Sequence, residues 1–134
     1  MSTTTEKNSK TVATNAKIGT FIGKLFSFNS SLKLFHWHIT GKGSYAQHMA
    51  LDEAIDDLLD IIDRITETTY AVKGDLAITI PETKVPTNIV NHCEDFYNYV
   101  NSQRPLFEEA FSQAIIDDYT EAIQQLIYRL KRLE

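Results

Sequence analysis

The sequence has little of what builds disulfide scaffolds, sharp turns or membrane spans. Its one cysteine, Cys93, cannot form an intramolecular disulfide, supplies no cysteine pair for zinc, and fits a reducing compartment. Only three prolines and five glycines are spread over 134 residues, which excludes collagen-like and low-complexity chains. No apolar run approaches the ~18 residues that a membrane-crossing helix needs. The first ten residues are polar and carry no apolar stretch of the secretory type, so a cytoplasmic location is expected. No strand-like alternation competes with helical spacing. A glycine-rich phosphate loop and a nucleophile elbow are also missing.

Charge is present but unevenly placed. Residues 1–33 hold Lys7, Lys10, Lys17, Lys24 and Lys33 against the single Glu6, a local balance of +4. The whole chain carries −5, so the remainder carries −5 − 4 = −9. An acidic body disfavours nonspecific contact with nucleic acid and suits a protein that handles cations, although it also simply keeps a protein soluble. The lysines near the N-terminus are read as a solubilising arm rather than a DNA clamp.

Residues 1–11, rich in Ser, Thr and Lys and without periodicity, are expected to form a mobile polar tail, with a single helical domain over 12–134. From about Val12 to Ile39 the residues Ile18, Phe21, Ile22, Leu25, Phe28, Leu32 and Phe35 recur at helical spacing. Gly19 and Gly23 in that helix form a pattern that lets a neighbouring helix approach closely. Gly41-Lys42-Gly43 ends it, and Ser44 with Gln47 makes a capping-box pattern for a second helix over about Tyr45 to Tyr70. Its core stripe is Leu51, Ile55, Leu58, Ile62 and Ile65. Residues 72–86 read as a loop, after which Thr87 can cap a third helix starting near Asn88 and carrying Ile89, Phe96 and Val100. Pro105 either kinks this helix or starts a new one, the kink being favoured, and a fourth runs from about Gln113 to Leu133. The fold class is all-α, a four-helix bundle.

Imidazole and carboxylate together are the ligands that hold iron, and helix two offers two such pairs at i, i+4: His48 with Asp52, and Asp63 with Glu67. With Leu51 taken as zero and ~100° per residue, the four fall on one strip between ~60° and ~160°, with Leu59 among them. Asp52 and Asp63 are roughly 16 Å apart along the axis, too far to share one ion. An isologous pairing of antiparallel second helices, crossing near Leu59, would set His48 and Asp52 of one chain against Asp63 and Glu67 of the other, twice. The spacing therefore predicts a dimer with two equivalent sites. His36, in the last turn of the first helix, is placed to join the first pair as a fifth ligand.

These residues resemble those of the Dps family, the mini-ferritins of bacteria. His36-Trp37-His38-Ile39-Thr40-Gly41 is similar to that family's His-Trp-Asn-x-x-Gly, with His38 in the place of Asn. The family's ligand spacing falls without a gap on His36, His48, Asp52, Asp63 and Glu67. The resemblance covers about residues 32–67, and this region also resembles small Dps-like proteins of phages and bacteria. It implies a ferritin-like bundle with two-fold inter-subunit metal sites, a homodimer as the minimal unit and a hollow twelve-subunit shell. It further implies that ferrous iron is oxidised by hydrogen peroxide or oxygen and stored as mineral. His36, His48 and Asp52 would come from one subunit, Asp63 and a bridging Glu67 from the other, and Trp37 would stand beside the metal. The chain is shorter than typical members and has few residues for their extra short helix. Some members bind DNA; no membrane role is implied.

Singly, each residue has a plainer explanation. His36 suits a helix C-terminus, where a cation is favoured, and Asp52, Asp63 and Glu67 are of a type that usually sits solvated at a surface. Trp37 is more often packing than a redox partner, and His92 and Cys93 read as packing or surface residues. A non-enzymatic helical assembly is the competing function. An intrasubunit di-iron enzyme needs Glu-x-x-His on two helices, and that motif does not occur here.

Overall fold

The computed structural model describes residues 4–133, with side chains from residue 9 onward. These residues form an all-α four-helix bundle of the generic ferritin-like kind, with no strand among them. The helices are α1 (Thr4–His38), α2 (Ser44–Lys73), α3 (Ile89–Ser102) and α4 (Ala110–Arg132), with a 3-10 turn at Arg104–Leu106. None is long and apolar enough to cross a membrane.

The apolar spacing is what closes the bundle. Ile18, Phe21, Ile22, Leu25, Phe28 and Leu32 of α1 meet Leu51, Leu58, Ile62 and Ile65 of α2 and Ile116, Tyr119, Ile123, Leu126 and Leu130 of α4 in one buried core. Phe35, Ile55 and Phe96, on the edges of their stripes, are only partly buried against it. Burying one such side chain contributes roughly 1.5–3 kcal/mol before conformational entropy is set against it.

Direction follows from the cross-helix contacts. Asn29 reaches the Ile55 carbonyl and Lys33 reaches Asp52, so α1 and α2 are antiparallel. Arg64 pairs with Asp118 and Arg129 with Glu53, so α2 and α4 are antiparallel too. His92 meets Ser31 and Phe96 stacks on Phe28, which runs α3 against α1 and hence parallel to α2. Two parallel helices that follow one another in the chain cannot be joined by a tight turn, and the 74–88 segment supplies the long crossover such bundles use.

That crossover corrects one expectation. Gly19 and Gly23 admit the extended segment rather than a helix: a Cβ on either would collide with the Ala77 or Thr79 carbonyl oxygen. Ser27 and Thr83, joined hydroxyl to hydroxyl at 2.9 Å, and Tyr70, donating to the Leu76 carbonyl at 3.2 Å, fasten the segment further.

Other boundaries also differ. Of the tail expected over 1–11, residues 1–3 lie outside the described residues, and from Thr4 the chain is helical. Ser9 to Ala13 are exposed there, helix propagating back from its packed part. Ser44 is not the cap of α2. Gly43, with φ of 82°, takes the N-cap position without a side-chain hydrogen bond, and Gln47 N–H bonds its carbonyl. Asn88 rather than Thr87 caps α3, its side chain accepting from Asn91 N–H at 3.0 Å. Pro105 breaks the helix instead of kinking it. It has no N–H, and in a continued helix its ring would clash with the carbonyl four residues back. So α3 stops at Ser102, and Pro105 stands at the start of the 3-10 turn, the new element of the other alternative. The chain then extends through buried Phe107, whose ring meets Phe21 edge to face at 5.5 Å.

Candidate metal centre

The turn between α1 and α2 builds the site. Gly41 and Gly43 both have positive φ, conformations that cost a glycine little, and they fold α2 back along α1. This lays His48 and Asp52, one helical turn apart, beside the last turn of α1, where His36 points inward. His36, His48 and Asp52 each bring one ligand atom within 4.8 Å of the others, the sole such group among the described residues.

His36 is 4% exposed, and neither of its ring nitrogens has a hydrogen-bond partner. Its Nε2 lies 3.0 Å from Asp52 Oδ1, a contact that lacks the alignment of a hydrogen bond. Burying a ring nitrogen without a partner is costly, so this arrangement needs a reason. The ring stacks on His48 at 3.4 Å between centroids. His48 Nδ1 is 3.1 Å from the His36 main-chain oxygen. A carbonyl only accepts, so Nδ1 is the nitrogen that carries the proton of this bond, and Nε2 is the nitrogen left for a ligand.

Burial holds the His36 imidazole below its ordinary range; His48 and Lys33 push the same way, while Asp52 pulls against them. A neutral imidazole is what a metal requires. Asp52 is held below the ordinary carboxylate range, first by the hydrogen bond from Lys33 and then by the neighbouring imidazole. Two imidazoles and a carboxylate offer an N, N, O set, fewer ligands than the four to six a first-row divalent ion takes.

Lys33 is the neighbour of the cluster that the sequence reading did not single out. Its Nζ donates to Asp52 Oδ1 at 3.0 Å and stands 5.8 Å from the centre of the Trp37 ring. Its position three residues before His36, on one face of α1, was the available signal. The cluster is thus balanced, one carboxylate against one ammonium. An incoming cation must compete with that ammonium.

Asp63 and Glu67 are not brought to this cluster within the chain. Both are exposed on the far half of α2, and neither has an ion pair among the described residues. Trp37 is 67% exposed and His38 is also open to solvent. His92 and Cys93 are packing residues. His92 stacks on Phe28 and meets Ser31 Oγ at 2.7 Å, and Cys93 lies in the core with its thiol pushed up to about 12 by burial.

No curated protein and no solved structure matches the chain. A family model does match residues 38–130, a span that takes in His48, Asp52, Asp63 and Glu67, and the chain belongs to that family, the family of unknown function DUF5856.

Proposed function

We propose that the chain is a Dps-type ferroxidase and iron-storage protein, oxidising ferrous iron with hydrogen peroxide or oxygen at sites shared between two subunits. The observation that carries this reading is the buried, unpartnered His36 imidazole converging with His48 and Asp52. Two imidazoles and a carboxylate suit a first-row divalent ion and leave room for an oxidant. Iron is the substrate here. His36, His48 and Asp52 bind and orient it, and Asp63 and Glu67 of a second copy complete its shell. The spacing of the five residues, taken with the exposure of the last two, supports that division of labour. Cytoplasmic iron detoxification in a larger homo-oligomeric shell is the setting this reading expects.

A second reading has its own support. Lys33 already neutralises Asp52, as it would in a helical assembly protein that holds no iron. Ferrous oxidation measured with peroxide and then with air, in wild type and Glu67→Ala, separates the two. Fast oxidation that collapses in the variant is the expected result. If both proteins match buffer with either oxidant, the ferroxidase reading fails and the assembly role stands.

A further inference from the structure

The outward side of α2 is lined with carboxylates that no cation among the described residues neutralises. Asp56, Asp60, Asp63 and Glu67 are exposed, and no ion pair reaches them among the described residues. The cations that do reach α2 carboxylates are committed elsewhere: Lys33 to Asp52 and Arg129 to Glu53. Arg64, on α2 itself, is taken by Asp118 of α4. At ~100° per residue, Asp52, Asp56, Asp63 and Glu67 share a strip ~60° wide beside Leu59. Leu59, 38% exposed, borders that strip halfway along it, and the exposed Tyr45 and Met49 lie on the same strip near the start of α2.

Two such faces laid antiparallel about Leu59 would set unpaired Asp56 close to unpaired Asp63, twice, and Glu67 close to the Asp52 that Lys33 already holds. At that crossing, one partly exposed leucine from each chain is a small apolar gain against that repulsion. The His36, His48 and Asp52 cluster supplies three ligand atoms, whereas divalent ions of this class take four to six. Each lack answers the other. We propose that cation binding and pairing of two copies are one coupled event: divalent ions at the His36 clusters join two chains across α2, and the pair dissociates when the ions are removed. This rests on the inter-subunit reading above and adds that the cation itself is the cement. Linkage then requires that pairing tighten cation binding by the same factor that the cation tightens pairing.

The test uses Zn2+, which carries no redox chemistry, and sedimentation equilibrium of the full chain in EDTA and in excess Zn2+. The association constant is expected to rise at least about tenfold with Zn2+. Asp63→Asn combined with Glu67→Gln should still bind Zn2+ in calorimetry but no longer associate in response. Asp56→Asn combined with Asp60→Asn should associate in EDTA more tightly than wild type, since repulsion has been relieved. All four replacements are near-isosteric and on the surface, so folding is retained. Equal association in EDTA and Zn2+, or Zn2+ uptake by wild type without association, overturns the proposal. Zn2+-driven pairing without ferrous oxidation would sink the ferroxidase reading alone; ferrous oxidation by a pair that persists in EDTA would sink this one alone.

Discussion

His48 donates its Nδ1 proton to the main-chain carbonyl of His36 at 3.1 Å, and this one bond fixes which nitrogen of His48 faces the cluster. It also ties the last turn of α1 to the first turns of α2, where α1's terminal carbonyls lack intrahelical partners. His48→Ala removes a ligand and the brace together. Zn2+ affinity in competition titration should fall roughly 10–100-fold, the range seen when a metal site loses a supporting contact. An unchanged affinity would remove His48 from the site.

Lys33 and the metal want the same oxygen of Asp52. Lys33→Met keeps the aliphatic stem and deletes the competing charge, so Zn2+ binding should tighten, by about tenfold for roughly 1.4 kcal/mol of lost competition. Folding stability should change by less than about 1 kcal/mol, because both partners of this ion pair are partly exposed. Trp37, the lone tryptophan, lies within reach of the same ammonium and gives a fluorescence readout of its displacement. Weaker binding in the variant would mean that Lys33 helps to hold the site together.

His36 and His92 are both held below the ordinary histidine range, each chiefly by burial. The unfolded chain therefore binds more protons than the folded one as pH falls below about 6.5, and stability is lost progressively on that side. Above that pH these two groups contribute no slope. Thermal melts in EDTA between pH 7.5 and 5 should show a falling midpoint on the acid side, and His92→Gln should flatten it while leaving the neutral value close to wild type. A slope untouched by His92→Gln would assign the acid sensitivity elsewhere.

Much of this was legible in the sequence because helical periodicity reports burial directly. Leu51, Leu58, Ile62 and Ile65 stand where a 3.6-residue repeat puts them, and His48 and Asp52 share a side for the same reason. What local spacing could not give was anything set by another segment. The hand of Lys33 on Asp52 depends on where a long, flexible side chain comes to rest after α2 has folded back. The Ser44 pattern lost to Gly43, because the turn needed a left-handed residue at that point. Gly19 and Gly23 announced a close approach without saying what approaches.

Gly23 makes the last of these consequences measurable. In an open helix, Gly→Ala adds up to about 1 kcal/mol of stability through helix propensity. Here the new Cβ would meet the Thr79 carbonyl, which is backbone and cannot swing aside. The crossover would have to lift from α1, straining the Ser27–Thr83 contact and loosening Ile78, which packs partly on the core. Overpacking of this kind costs about 1–3 kcal/mol, so Gly23→Ala should lower the urea midpoint despite its better propensity. Zn2+ affinity should be unchanged, because the cluster is held by the α1–α2 turn at the other end of α2 from Gly74, where the crossover starts. A stabilised Gly23→Ala would mean that the crossover is not seated on α1 as described.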